Sequence, residues 1–407
     1  VSESDTPTRW AWVDVDLDAI RHNVEHLRSV VAPSTVWAVV KANGYGHGAV
    51  PAANAALDGG AEGLCVALVE EGIELRDAGI DAPILVLSEQ PVDFVDAIVR
   101  YRLMATVYTA AFVDALAEAA RRRRIEGVPV HLKIDTGMQR VGAPVDGVAA
   151  VGAAIASHMP TLRLVGVFTH LAMADEPGDP ATADQLERFD TALSGLASVL
   201  PGTRPGQTHA VPAGPLLVHA ANSAGALAHP AARRSFVRAG IAIYGISPGH
   251  GVDHLCGELR PALALKARVS YVKRVAAGSR ISYGLRHTFA RDTNVATVPI
   301  GYADGVPRRL FETGGEVLIG GRRRRIVGVV TMDQLMVDCG DDPVAVGDEV
   351  VLIGRQDGPD GVQTVHAEGW ADRLGTIGYE IVCGIGRRVP RRHARSIEPA
   401  MSGRDDA

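Results

Sequence analysis

The chain has 407 residues, of which 47% are apolar, with 41 lysines and arginines against 47 aspartates and glutamates and a formal net charge of -6. That length exceeds one ordinary core and predicts two domains, while the mildly acidic balance excludes a general attraction to nucleic acid or to an anionic membrane. Cys65, Cys256, Cys339 and Cys383 form no C-x-x-C pair, and no His, Cys, Asp or Glu grouping has metal-ligand spacing, so reduced structural thiols and no metal are expected.

Glu3 and Asp5 precede any apolar stretch, so no secretory signal is read and a cytoplasmic location is expected. A strand is expected near residues 10–16, where apolar and acidic residues alternate, and then a helix over 17–30 with Ile20, Val24 and Leu27 on one face. From there short β-branched runs alternate with helical segments. The predicted strands cover 36–41, 63–68, 83–88, 103–108, 130–135, 164–170, 217–222 and 236–244.

Eight strand-helix units predict a closed α/β TIM barrel, here over 12–245. A doubly wound sheet competes, but the glycines of Gly44-Tyr45-Gly46-His47-Gly48 lack the G-x-G-x-x-G spacing of a dinucleotide turn. Residues 205–232 carry no Asp, Glu, Lys or Arg, and their Gly, Pro, His and Asn content reads as buried strand and loop, not as a membrane span.

Beyond Gly245 the pattern changes to short runs at 263–275, 294–300, 316–319, 326–330, 336–338, 349–353 and 362–366, separated by Gly, Asp and Pro. That predicts a mostly β C-terminal domain over 246–392, with the strand near 10–16 a candidate to join it and one helix at 367–374. The basic runs Arg121 to Arg124 and Arg322 to Arg325 read as a solvated helix end and a solvated turn or strand edge.

Barrel chemistry gathers at the C-terminal ends of the strands, with phosphate often held after strands seven and eight. The candidates there are Lys41 after strand one, Lys133 and Asp135 in strand five with Arg140 beyond, His170 after strand six, Asn222 and Ser223 after strand seven, and Arg238, Gly240 and Ile241 around strand eight. Each has a plainer reading. Lys41 can be a surface lysine, or one that carries a covalent carbonyl cofactor; Tyr45 can be half-buried packing or a phosphate donor. Arg238 lies inside an apolar run and needs a buried acceptor, either a structural Asp or a ligand atom. His170 can be a core histidine or lie flat on a ring, and His219 reads mostly as core.

Together these pieces resemble the alanine racemase family, and the resemblance runs from about Trp12 to Arg392. The most specific element is Val39-Val40-Lys41-Ala42-Asn43-Gly44-Tyr45-Gly46-His47-Gly48, similar to that family's pyridoxal 5'-phosphate (PLP) lysine motif. The stretches around Lys133 to Arg140, Phe168 to His170, Asn222-Ser223, Arg238 to Ile241, Ile281 to Gly284, Pro299 to Gly305, Met332 to Gln334 and Thr376 to Glu380 follow in family order.

The resemblance implies PLP carried by Lys41, with Tyr45, Ser223, Gly240, Ile241 and Tyr379 around its phosphate and Asn222 beside them. It implies His170 on the ring, Arg238 at the pyridine nitrogen, Arg140 near the ring hydroxyl and the substrate carboxylate, and Lys133 as a carbamylated lysine orienting Arg140. Tyr283, Met332 and, at the entrance, Tyr302 are then supplied by the second subunit of a homodimer with shared sites. The implied reaction is two-base racemisation of L- and D-alanine, supplying D-alanine for peptidoglycan, with Lys41 and Tyr283 as the bases.

Gly44, Ala239, Thr331 and Gly378 depart from the commonest family residues beside these motifs, which touches pocket shape. The enzyme alternatives are a racemase for another small amino acid such as serine and a fold-type III decarboxylase. The decarboxylase would want a cysteine near the substrate and an acidic partner for the ring nitrogen, where Thr331-Met332 and Arg238 stand. A PLP carrier protein would need only the barrel, and a generic TIM-barrel hydrolase would bind no yellow cofactor.

Overall fold

A computed structural model describes residues 9–199 and 216–394. Its described residues divide into two compact units, one comprising 21–199, 216–261 and 367–386, the other gathering 9–20, 262–366 and 387–394. The expected cut at 245/246 is thereby displaced. Residues 246–261 and the helices Ala367–Leu374 and Gly378–Cys383 belong to the barrel unit, while the strand Ala11–Asp16 belongs to the β-rich one.

In the first unit eight parallel strands run in chain order: Thr35–Val39, Gly63–Val66, Ile84–Val86, Ala105–Val107, Val128–Asp135, Leu162–Phe168, Leu217–His219 and Phe236–Ala239. The eighth pairs with the first, through Phe236↔Thr35 and Arg238↔Trp37. Strands three and four meet at a single bridge, Leu85↔Met104. Strands seven and eight are joined by Ser235 N–H to Val218 O at 2.8 Å and Arg238 N–H to Ala221 O at 3.0 Å. The ring therefore closes as the TIM barrel expected.

Strands two, three and four are buried at every position, as parallel strands under helices must be. The helix Ala110–Arg122 shows how the outer layer is made: Thr109 caps its N-terminus by accepting from Phe112 N–H, and Phe112, Val113, Leu116 and Ala120 form the buried stripe. Its arginine run, Arg121 to Arg124, is exposed at the helix end, as read from the sequence. Of the uncharged stretch, 205–215 lies outside the described residues, as do Glu3 and Asp5; the remainder supplies strand seven and the helix Ser223–Ala228.

The second unit is a ten-stranded sheet, antiparallel except where Ala11–Asp16 runs parallel to Arg391–Ala394. Two sequence expectations are corrected there. The run 263–275 is two strands, Leu263–Arg268 and Tyr271–Val275, which pair with different neighbours. The strand expected at 326–330 lies earlier, at Arg322–Ile326, and is interior to the sheet between Glu316–Ile319 and Leu335–Gly340. Arginine stems can pack on a sheet while their heads find carboxylates. Here Arg322 and Arg324 pair with Asp342, and Arg323 pairs with Glu316.

Candidate active site

The C-terminal ends of the barrel strands surround a cavity of about 550 Å³, a size that suits a small cofactor and substrate. Its wall includes Lys41, Tyr45, Lys133, Arg140, His170, Asn222, Ser223, Arg238, Gly240, Ile241 and Tyr379. The barrel candidates from the sequence are thus brought together, except Asp135 and the core-read His219, which do not line it. Four of these residues are Lys or Arg and no carboxylate among the described residues lines the cavity, so its chemistry favours an anionic occupant.

Lys41 is held by an unusual turn. Ala42, Asn43, Gly44, Tyr45 and Gly46 all have positive φ, a left-handed turn that L-residues adopt only at a cost of roughly 1–2 kcal/mol each. What compensates is a full set of hydrogen bonds. Gly44 N–H donates to Val40 O, Gly46 N–H to Ala42 O, and Ala49 N–H to Asn43 Oδ1 at 3.0 Å. Glu71 accepts from Ala42 N–H at 2.6 Å and also from Ala67 and Leu68, so a helix from the next unit clamps the turn. Burial, then the nearby Arg140 charge, holds the Lys41 amine below its ordinary pKa, which favours the neutral nucleophilic form.

In the same cavity wall Ser223 Oγ accepts from Gly240 N–H at 2.9 Å and Ala242 N–H at 3.3 Å, leaving its own hydroxyl proton free to donate. Gly240 is a glycine for lack of room: a Cβ there would lie 2.6 Å from the Tyr45 hydroxyl oxygen. Tyr45 packs tilted against Tyr244 and Tyr379, and burial raises the Tyr45 and Tyr379 phenols, which keeps both as proton donors. Neutral hydroxyl donors in the wall of a cavity that is also lined by cations fit a phosphate. The Asn222 side chain is committed elsewhere, capping its helix by accepting from Gly225 N–H and donating to Leu171 O at 3.4 Å.

Arg238 is buried with no carboxylate partner among the described residues, where the structural-Asp account would need one. Its guanidinium donates to Thr169 O at 2.8 Å, Ala220 O at 2.9 Å and His219 Nδ1 at 2.7 Å, with His170 Nδ1 at 3.3 Å. Since arginine only donates, His219 Nδ1 must be the acceptor and its proton must sit on Nε2. That Nε2 faces His131 Nδ1 at 3.0 Å, so His131 is fixed in the same tautomer, and His131 Nε2 has no partner among the described residues. Burial and then the Arg238 charge hold His170 and His219 well below their ordinary value and bring His131 to about 3, so all three rings are neutral at pH 7. His219 is a core histidine, as read, stacked between Phe168 and Phe236, and it also serves Arg238.

Lys133 is buried and makes no ion pair among the described residues. Asp135, the mate considered from the sequence, turns its carboxylate to Gly137 and Gln139 N–H. Burial first, then Arg238 and Arg140, push the Lys133 amine down to about 8. All four cysteines are free thiols. Cys383, which the sequence reading treated only as structural, lines the cavity. Glu71 and His131 were also missed, because both act through partners far away in sequence.

Tyr283, Tyr302 and Met332 belong to the β-rich unit and do not line this cavity. Their side chains are 72%, 42% and 52% exposed, high for residues of this kind. They share one edge: Ser282 Oγ donates to Val329 O at 2.7 Å, Tyr302 N–H to Thr331 O at 3.0 Å and Ala303 N–H to Met332 O at 3.1 Å.

Residues 15–248 match the family described as alanine racemase, N-terminal domain, and residues 262–393 the one described as alanine racemase, C-terminal domain. An alanine racemase of Symbiobacterium thermophilum is 49% identical over 94% of this chain and 97% of its own. One from Thermobifida fusca is 46% identical over 94% and 98%. Among solved structures, the alanine racemase of D-cycloserine-producing Streptomyces lavendulae superposes with a TM-score of 0.86 at 38% identity, covering 97% of this chain and 99% of that one. With both halves matched and the cavity built where a TIM barrel places its chemistry, the chain belongs to the alanine racemase family.

Proposed function

We propose that the protein is a PLP-dependent alanine racemase that interconverts L- and D-alanine, with active sites shared between the subunits of a homodimer. The observation that carries the reading is the cavity itself: a lowered lysine amine at the end of strand one, hydroxyl donors in the same wall, and a buried arginine with no carboxylate partner among the described residues. PLP bound there supplies the electron sink that makes the alanine Cα–H bond acidic. The protein's part is to hold, orient and move protons.

Lys41 would hold the cofactor covalently, and the hydroxyls of Tyr45, Ser223 and Tyr379 with the Gly240–Ile241 backbone would hold its phosphate. Arg238 would serve the pyridine nitrogen. Burial pushes its guanidinium down to about 10, still cationic at neutral pH, so it would donate to that nitrogen without giving up a proton to it. An aspartate there would protonate the ring, so Arg238 favours the racemase over the decarboxylase alternative. His170 would lie against the ring. Arg140, exposed at the cavity wall, is free to take the substrate carboxylate.

Racemisation needs a base on each face of Cα, because one group cannot both remove the proton from one side and deliver to the other. Lys41 is the base on the D face. Tyr283 of the partner subunit is the base on the L face, with Met332 of the partner subunit beside the substrate and Tyr302 of the partner subunit at the entrance. Their exposure on a common edge supports that reading, since a large apolar side chain turned to solvent is ordinarily kept for a partner. We place the enzyme in the cytoplasm, where D-alanine enters peptidoglycan synthesis; no helix among the described residues is long and apolar enough to cross a membrane.

The test is borohydride reduction of the holoenzyme followed by peptide mass mapping, alongside a racemisation assay with alanine and serine. Pyridoxyl on Lys41 and a clear preference for alanine are expected. A label on another lysine, or equal turnover of serine, sinks the assignment.

A further inference from the structure

Asp304 is fully buried in the β-rich unit, with a side-chain exposure of 0%. Arg9 grips it with both arms, Nη1 to Oδ1 at 2.6 Å and Nη2 to Oδ2 at 2.5 Å. Arg388 brings Nε to 3.2 Å from Oδ1, and Gly301 N–H donates to Oδ2 at 3.0 Å. Arg388 reaches on with Nη2 to Asp333 Oδ1 at 2.7 Å, and Arg9 also donates to Pro299 O at 3.1 Å. Burial alone would raise the Asp304 carboxyl; the hydrogen bonds from Arg9 and Gly301 and the charges of Arg9 and Arg388 bring it below the ordinary carboxylate value. One carboxylate therefore ties together four segments that are far apart in sequence.

Two of those segments carry exposed side chains of the edge described above. Asp304 closes the short turn that begins at Tyr302, and Asp333 follows Met332. The backbone joins them, through Tyr302 N–H to Thr331 O and Ala303 N–H to Met332 O. The fit is tight: a Cβ on Gly301 would lie 2.2 Å from Thr331 O. A buried carboxylate is a poor way to gain stability, since apolar residues of like volume do as well or better, but two guanidiniums on it fix direction. The knot holds backbone while leaving the Tyr302 and Met332 side chains outside.

We propose that Asp304, held between Arg9 and Arg388, is a positioning residue that sets Tyr302 and Met332 for the active site of the partner subunit, so that its loss is felt there and not in its own barrel. The inference rests on the shared-site reading above. The experiment separates the two. Lys41→Ala and Tyr283→Phe chains, each inactive alone, are mixed with subunit exchange; random pairing makes half the dimers mixed, each with one native site, so activity should return to about one quarter of wild type per chain. No return, with exchange confirmed, overturns both ideas.

Asp304→Asn is then placed on one chain at a time. In the mixed dimer the working site takes its barrel from the Tyr283→Phe chain and its β-rich edge from the Lys41→Ala chain. On the latter, Asp304→Asn should raise the alanine KM about ten- to a hundredfold, the effect of a misplaced wall, with bound PLP unchanged by its visible absorbance. On the former it should leave the restored activity as it was. Equal losses in both placements, or none in either, overturn the positioning role while leaving shared sites intact. Should Asp304→Asn not fold, Arg388→Gln keeps the Arg9 grip and obeys the same placement rule with a smaller loss, and its equal effect in both placements is equally fatal.

Discussion

The barrel cavity and the edge of the β-rich unit both present tyrosines and positive-φ turns, but they spend their hydrogen bonds in opposite ways. In the cavity the functional side chains themselves are tied down: Ser223 takes two amides, Arg238 takes two carbonyls and a histidine, and Glu71 clamps the turn after Lys41. On the edge it is the backbone that is tied, at Ser282 Oγ to Val329 O and Tyr302 N–H to Thr331 O, while Tyr283, Tyr302 and Met332 stand in solvent. The cavity fixes the functional atoms themselves; the edge fixes only where its side chains start. On that view lesions in the cavity should disturb cofactor attachment, and lesions on the edge should disturb turnover while leaving cofactor attachment as it was.

The largest effect sharpens this contrast most. Lys41→Ala and Tyr283→Phe should each lower alanine racemisation by at least about 10²- to 10⁴-fold, the usual worth of a positioned acid or base. They should part company on a second readout. Borohydride should no longer attach pyridoxyl to the Lys41→Ala protein, whereas Tyr283→Phe should take the label as wild type does. A Tyr283→Phe protein that cannot be labelled would erase the distinction between the two regions.

The next effect is on stability. Arg238→Met leaves the buried Thr169 and Ala220 carbonyls and His219 Nδ1 without their donor, at roughly 1–3 kcal/mol for each unsatisfied group, so a loss of at least about 2 kcal/mol is expected in urea unfolding. Arg286→Ala in the β-rich unit breaks only an exposed ion pair to Glu312 and should stay within about 0–1 kcal/mol. Comparable losses would mean that Arg238 is less embedded than its contacts imply.

How far this architecture could be read beforehand follows from the same difference. The eight barrel strands were legible because each is a short, mostly apolar run, often β-branched, followed by a polar residue, a local pattern, and the strands and their ends gave Lys41, Lys133, His170, Ser223 and Arg238 before any relative was considered. Residues acting through distant partners were not legible. Glu71 looks like an ordinary helix carboxylate until the fold sets it against Ala42 N–H, and His131 looks like a strand residue until it meets His219. The interior strand Arg322–Ile326 was hidden because its charges are answered by Asp342 and Glu316, which only sheet register brings alongside. Tyr379 was recognised by its motif, yet only the fold shows its helix belonging to the barrel unit. The roles of Tyr283 and Met332 came from family resemblance alone, since nothing local to an exposed tyrosine says what a second chain would bring to it.

A smaller effect concerns Lys133. With its amine near 8 instead of the ordinary 10.5, about one quarter is neutral at pH 7.5, against roughly one part in a thousand for an ordinary lysine. A neutral amine can add carbon dioxide, forming a carbamate with loss of one proton, and that anion would sit beside Arg140. Carbon-13 bicarbonate should therefore give a carbamate resonance that is absent from Lys133→Gln. The linkage has a definite sign. While the amine is bare, its folded pKa lies below the unfolded one, so the unfolded chain binds more protons between about pH 8 and 10.5 and stability rises with pH across that window, the penalty being fully present below it. Carbamylation should flatten the rise, and an unchanged slope with and without bicarbonate argues for a bare ammonium.

The smallest effect compares two glycines kept for different reasons. At Gly240 the constraint is a neighbour, since an added Cβ would come within 2.6 Å of the Tyr45 hydroxyl; at Gly284, beside Tyr283, it is the backbone, with φ at +71° and the nearest side-chain atom 3.5 Å away. Gly240→Ala should cost about 1–3 kcal/mol as an overpacked contact and should weaken PLP binding, because Tyr45 must shift. Gly284→Ala should cost about 1–2 kcal/mol from its left-handed conformation and leave PLP binding alone. Double mutants tell the causes apart. Tyr45→Phe removes the oxygen that the new methyl meets and leaves ring carbon Cζ at 3.2 Å, so the double mutant Tyr45→Phe with Gly240→Ala should lose less than the sum of the singles, whatever the Gly240 backbone itself contributes equally to both backgrounds. Arg286→Ala, which removes the side chain nearest Gly284, should add to Gly284→Ala without coupling, because no neighbour is in the way. Additivity at the first pair would show that Gly240 is not there to make room for Tyr45, and coupling at the second would show that the edge is packed more like the cavity than its exposure implies.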